Sequence, residues 1–485
     1  MSRDLTSETV VRLADLMARR EASPVEVAEA FLERVGGAGR RLNAVVTLAG
    51  DVLEQARAAE HALTKGGAAG PLCGVPLTVK DTLDVRALRA TAGSAVRSER
   101  VAEADAPAVA RLRAAGAVIL GKTNCSELAL DYTTENPVFG RTLNPHDHTR
   151  TPGGSSGGCA AAVAARLTAA SLGSDLVGSI RIPAHFCGVV GFRPAGASVP
   201  RAGHTPPVVG VYALGASVGP LARTVADARL LYGVLSGEVE GGTNEGIVAG
   251  VGQAAQDRRG RLLGVRFCAY EEEGTAPVSD EARAAVGSAA RALEEAGLVA
   301  VGARPPHVES GAGLWLALIS QATARFVREE FAGREELAGP VARALIRRGA
   351  GEAGESADEL RATLERREVM RARLLGWMET TRLLIAPVGA VAAFRHDEAR
   401  RVEVAGQSVN TFRAFAHAQV FNVFDLPAIA VPVNRTKEGL PVGVQLAARP
   451  GDEALLFAAA EVVERAASAV PRPADNAPQR GANPL

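Results

Sequence analysis

Two hydrophobic periods alternate along this chain of 485 residues. Over residues 6–20 apolar side chains recur every three to four positions, which predicts an amphipathic helix. Ser23-Pro24 supplies the N-cap and first-turn proline of a second helix running to about residue 35. Residues 43–48 read as a strand, 51–64 as a helix, and GVPLTVKD over 74–81 as a buried strand carrying Lys80 near its end. The alternation continues with a helix over 106–115, a strand over 117–120, a helix over 224–235, a strand over 262–268, a helix over 280–296 and a strand over 298–302. A mostly helical block spans 311–380. Strands at 383–386, 428–433 and 442–446 follow, then a closing helix over 452–467. No internal repeat is visible. Residues 241–260 are Gly-rich enough for a surface loop, and PRPADNAPQRGANPL over 471–485 reads as a disordered tail. The pattern predicts an α/β fold, a sheet covered by helices.

The chain is organised around residues 151–183, TPGGSSGGCAAAVAARLTAASLGSDLVGSIRIP. A glycine–serine loop, Gly153 to Gly158, leads into an alanine-rich helical segment. An apolar run to Gly173 follows, and a second loop from Ser174 to Ser179 precedes Arg181 and Pro183. Glycines let backbone N–H groups approach a ligand and serines add hydroxyls, so two such loops joined by helix and strand can converge on one point. Solvated linkers rarely flank so regular an apolar segment.

Composition narrows the class. Apolar content of 47% suffices for a large core, and zero net charge gives no electrostatic case for nucleic acid or an anionic membrane as partner. The five cysteines are scattered without CxxC spacing, which argues against a structural zinc site or disulfide framework and suits a reducing compartment. The first twenty residues lack the apolar core of a signal peptide, and no uncharged apolar run reaches 18 residues. The expectation is a cytoplasmic protein.

Only four of the 54 basic residues are lysine: Lys65, Lys80, Lys122 and Lys437. In a chain that prefers arginine, a lysine in an apolar strand suggests chemistry that arginine cannot do, namely losing a proton; drift explains any single one equally well. Gly116 to Thr123 fits the P-loop pattern, but its four intervening residues are Ala-Val-Ile-Leu, a strand rather than a phosphate loop. Gly153 to Gly157 fits GxSxG, but polar, turn-like residues precede it where a nucleophile elbow needs a strand. His146-x-His148 has no further ligand at a recognised spacing and reads as a solvated turn. His185 suits helix packing. What remains is a serine nucleophile served by Lys80, whose amine, if desolvated, could accept a proton directly or through a second hydroxyl. Spacing alone does not bring Lys80, Ser155 and Ser179 together.

GVPLTVKDTLDV, TAGS, GKTNCSELAL, NPVFGRT, TPGGSSGG, GSDLVGSIRIPAHFCGVVGFRP, DLPAIAVPV and GLPVGVQLAARPGDEALL resemble the amidase signature family along almost the whole chain. The resemblance implies one α/β domain over residues 1–470, a mixed many-stranded sheet with helices on both faces. It also implies carboxamide hydrolysis by a Ser–Ser–Lys triad, without cofactor or metal. It makes Lys80 the catalytic lysine, Ser155 a bridging serine at a cis peptide, and Ser179 the nucleophile. Backbone N–H groups of Leu176, Val177, Gly178 and Ser179 would hold the oxyanion. Asp175 and Arg181 would fix the loop, and Ser156 would join the same network. The expected partner is a small-molecule amide; a homodimer stays open.

Many members of that family have two glycines before the nucleophile, and this chain has Val177-Gly178. A β-branched residue resists positive φ, so Val177 must sit in ordinary backbone or under strain. The main rival is the glutaminase component of a glutamine-dependent aminoacyl-tRNA amidotransferase, which would bring partner proteins, ATP and a glutamine pocket; NPVFGRT and KDTLDV look more like free-standing amidases. A catalytically inactive binding protein of the same fold is the other. Pocket residues are expected from the helical block around Trp315 and from the loop before Gln445, neither of which names an acyl group.

Overall fold

The computed structural model describes residues 3–65, 70–239, 262–349, 356–398 and 400–467; the Gly-rich loop and the tail expected from sequence lie outside them. Its frame is one sheet of eleven strands. In chain order these are β1 (Val45–Leu48), β2 (Pro76–Lys80), β3 (Val118–Thr123), β4 (Ala170–Asp175), β5 (Val190–Arg193), β6 (Ser217–Ala222), β7 (Arg266–Ala269), β8 (Val299–Ala300), β9 (Leu383–Pro387), β10 (Ala428–Arg435) and β11 (Pro441–Ala448). The spatial order is β1-β3-β2-β4-β6-β5-β10-β11-β9-β7-β8. Both kinds of pairing occur: β3, β2 and β4 run parallel, as do β9, β7 and β8, and the other pairs are antiparallel.

Period-2 alternation sends the strand side chains into two cores. Leu77, Val79, Ile385, Ile429 and Val431 enter one, with the helices at the two ends of the chain. Leu384, Ala386, Ala428 and Ala430 enter the other. There they meet helices α1 (Gly157–Ala164), α2 (Arg181–Cys187), α3 (Val308–Phe331) and α4 (Ala416–Val423). Every residue of α1 is buried, as its apolar sequence GGCAAAVA requires, and its small side chains let it lie against β2, β3 and β4. Lys80 follows Val79 and takes the opposite face, the one that α1 covers.

The second predicted helix is Pro24–Gly36, with Ser23 and Glu26 forming a capping box. The P-loop-like run is indeed strand β3. The helical block resolves into Val308–Phe331, Pro340–Gly349 and Ala357–Trp377. The strand expected over 262–268 is shifted, beginning only at Arg266. Strands β5 and β6 carry no clear strand signal in the sequence. VGFR is short, and SVGPLA contains a glycine and a proline, which are depleted from strands.

Candidate active site

β2 and β4 are parallel neighbours, with Leu77 opposite Ala170 and Val79 opposite Leu172. Their carboxyl ends therefore open on the same edge of the sheet, where crevices form in α/β proteins. Lys80 ends β2, Asp175 ends β4, and the 153–158 loop folds between them and α1. A side chain on Gly173 would meet Ser156 Oγ at 3.1 Å and Leu221 Cδ1 at 2.7 Å, so this glycine lets the loop lie against the strand. Ser156 then donates to Ser174 O at 3.1 Å, and its own N–H reaches Ser179 O at 3.2 Å, tying both serine loops together.

Lys80 Nζ lies 2.7 Å from Ser155 Oγ and 3.0 Å from Ser174 Oγ, with no carboxylate among its hydrogen-bond partners in the described residues. Burial pushes the amine down to about 8, with Asp175 acting in the opposite sense. Ser155 follows a cis peptide bond, as the resemblance implies. Lys80 and Ser155 are fully buried, while Ser179 keeps 4% exposure and so alone of the three reaches solvent. Among the described residues, the Ser179 hydroxyl has no protein hydrogen-bond partner. The structure thus brings Lys80, Ser155, Ser156 and Ser179 to one place, although they come from three separate segments.

The loop from Leu176 to Ser179 is held from both sides. Arg181 grips the Asp175 carboxylate through Nε at 3.0 Å and a terminal nitrogen at 3.1 Å, both side chains fully buried. Gln445 and Asn422 satisfy the rest of the guanidinium, at 2.7 and 2.6 Å. Burial alone would raise the Asp175 carboxyl, but Arg181 overrides it and holds the group well below the usual carboxylate range. Trp315 Nε1 donates to Leu176 O and Tyr132 Oη to Val177 O, both at 2.8 Å. With their carbonyls turned outward to these donors, the N–H groups of Leu176, Val177 and Ser179 have no protein acceptor among the described residues.

Gly178 corrects the expected oxyanion set. Its N–H donates to Asp175 Oδ1 at 2.7 Å and is already spent on the loop. At φ +106° it also occupies backbone that disfavours side chains, and a Cβ there would lie 2.7 Å from Ala418 Cβ. Its role is to make the turn. Val177 has no positive φ and sits in ordinary backbone. Gln445 itself belongs to β11, accepts from Arg181 and donates to Pro387 O, so it braces the sheet. His185 has the packing role expected of it, accepting from Gly443 N and donating to Val391 O. His146 is half-buried against Cys187 O rather than solvated. All five cysteines are free and buried, and no cluster of three metal-ligating side chains exists among the described residues.

Sequence reasoning missed Ser174 as a partner of Lys80, and missed His204, whose Nε2 lies 2.8 Å from Ser174 Oγ. Ser174 followed the apolar run and could have been flagged. His204, in RAGHTPP, carried no signal at all.

A family model described as Amidase matches residues 26–457. The A component of the glutamyl-tRNA(Gln) amidotransferase of Koribacter versatilis (strain Ellin345) is 33% identical over 481 residues, covering 93% of this chain and 96% of its own. Among solved structures, 6-aminohexanoate cyclic dimer hydrolase superposes with a TM-score of 0.82 at 29% identity, covering 98% of this chain and 100% of its own. The native peptide amidase from Stenotrophomonas maltophilia gives 0.79 at 25%, covering 97% and 99%. With a family match over nearly its whole length, the chain belongs to the amidase signature family.

Proposed function

We propose that this protein hydrolyses a carboxamide to a carboxylate plus ammonia or an amine through an acyl-enzyme on Ser179. Neutral Lys80 takes the proton of Ser155, which takes that of Ser179 as Ser179 Oγ bonds to the amide carbon. The N–H groups of Leu176, Val177 and Ser179 face the oxyanion, and such donors are worth about 3 kcal/mol each in a dry site. The relay then returns the proton to the departing nitrogen as the C–N bond breaks. Water, deprotonated along the same route, releases the acid. The observation that supports this most is the 2.7 Å contact between Ser155 and a buried amine that, among the described residues, bonds hydroxyls only. No helix of the described residues is long and apolar enough to cross a membrane, which is compatible with a cytoplasmic setting.

Two readings of the acyl donor compete, each with an observation behind it. The names of the curated relatives point more directly to the glutaminase component of an aminoacyl-tRNA amidotransferase than to a free-standing amidase. The walls beside the catalytic loop favour the free-standing enzyme. Residues 311–323 of α3 and 206–215 contain no charged residue, and Tyr212 Oη on the second reaches Thr323 Oγ1 on the first at 2.9 Å. The α-ammonium and α-carboxylate of glutamine need charged partners that these two segments lack.

A fluorophosphonate should label wild type at Ser179 and nowhere else, and Ser179→Ala should abolish amide hydrolysis while the fold persists. Labelling at Ser155 with Ser179 untouched would revive the nucleophile-elbow reading; no labelling would favour an inactive binding protein. Ammonia release from glutamine, compared with a panel of aryl, alkyl and amino-acid amides, separates the two acyl donors.

A further inference from the structure

The Lys80 amine has a second neighbour chain that leads away from the serines. Ser174 Oγ, 3.0 Å from Lys80 Nζ, lies 2.8 Å from His204 Nε2. The other ring nitrogen, Nδ1, is 2.7 Å from Pro206 O, a carbonyl that can only accept. Nδ1 therefore carries the proton, and Nε2 accepts from the Ser174 hydroxyl. His204 is half-buried and lines a depression together with Arg201, Gly203, Pro207 and Val208. Its loop is stitched to the residues just after Lys80: Asp84 N–H donates to Gly203 O at 2.9 Å, and Thr205 N–H to Thr82 O at 2.8 Å. Burial, with Lys80 adding to it and Pro206 opposing, lowers the imidazole to about 4, so the ring is neutral near pH 7.

The consequence lies in the direction of protons. A neutral amine has one lone pair, and two hydroxyls stand within reach of it. If Ser174 gave its proton to Lys80, that lone pair would be occupied and Ser155 could not use it. We propose that His204 is a positioning residue for the base: by accepting the hydrogen bond of the Ser174 hydroxyl it obliges Ser174 to accept from Lys80, and so reserves the amine's lone pair for Ser155. The inference rests on Lys80 acting as the base of the reaction proposed above.

The rate at which a fluorophosphonate inactivates the enzyme reads Ser179 nucleophilicity without knowledge of the substrate. His204→Ala should lower the maximal inactivation rate about tenfold, the order of one hydrogen bond's worth, with half-saturation unchanged. His204→Gln offers a carbonyl oxygen where Nε2 stood and should recover most of the rate. In a Ser174→Ala background, where no hydroxyl remains to misdirect, His204→Ala should cause no further loss. A wild-type inactivation rate in His204→Ala would overturn the inference, as would an equal loss in the Ser174→Ala background. Should His204→Ala melt early, His204→Gln against His204→Lys decides, since lysine donates but cannot accept; equal rates for the two would also overturn it. Silent His204 variants beside a dead Lys80→Ala would sink this inference alone, whereas an active Lys80→Ala would sink the mechanism it rests on.

Discussion

Two lysines lie buried side by side in the sheet and live in opposite surroundings. Lys80 ends β2, and Lys122 sits next door on β3, paired in register with Val79. Both are fully buried, and burial lowers both amines. Lys122 faces the Asp81 carboxylate at 3.4 Å and donates to Arg89 O at 3.2 Å. Asp81 in turn accepts from Thr91 and Gly93, so this pair pins the TAGS turn to the sheet. Among the described residues Lys80 has hydroxyl hydrogen-bond partners only. A carboxylate neighbour makes a buried amine a fixed cation; hydroxyl neighbours leave it free to lose its proton. One strand apart, the same residue type is a brace in one place and, in the reaction proposed above, the base in the other.

The largest effect should come from denying Lys80 its neutral form. Lys80→Arg keeps the charge but not the accessible free base, so kcat/KM should fall on the order of 10³-fold, as for Lys80→Ala. Lys80→Met should melt no lower than wild type, because it leaves no carboxylate unpaired. Wild-type kcat/KM should climb with pH through about 8, as the buried amine deprotonates, and level off above it. An arginine variant with near-wild-type turnover, or a profile flat from pH 6 to 9, would make Lys80 a fixed charge like its neighbour.

Lys122 should respond the other way round. Lys122→Ala strands the buried Asp81, which costs about 3–5 kcal/mol of stability. Turnover per folded molecule should hardly change, and the rise near pH 8 should persist. Loss of that rise in Lys122→Ala, measured below its melting temperature, would show that the two amines titrate together and that the contrast between them is false.

The contrast between the two lysines was not legible in the sequence. Arginine preference flagged Lys80 and Lys122 equally, because scarcity reports on residue type and not on neighbours. What separates them is whether a carboxylate or a hydroxyl faces the amine, which depends on strand register and on the helix that covers the face. The 153–158 and 174–179 loops were legible because glycine and serine stand at positions where a close approach needs them. The β2, β3, β9, β10 and β11 strands were legible as apolar runs, whereas β5 and β6 were hidden by brevity, glycine and proline. Gly178 was misassigned because an N–H group reads the same in sequence whether it faces a ligand or an aspartate three residues back. His204 was beyond reach: its partner Ser174 lies 30 residues away, and only tertiary folding joins them.

The smallest effect concerns Val177, on the loop that carries Ser179. It lies in ordinary backbone, held by Tyr132 through its carbonyl, and buries its isopropyl group at 9% exposure. Glycine there would add freedom chiefly to the unfolded chain, costing roughly 0.5–1 kcal/mol. Because the oxyanion contact proposed above uses the N–H and not the side chain, Val177→Gly should keep its rate on small acyl amides. Removal of the isopropyl group beside Ser179 should widen acceptance of bulky acyl groups, so the ratio of kcat/KM for branched over linear acyl amides should rise. A variant that melts higher and keeps the same ratio would show the valine to be strained and remote from the acyl group.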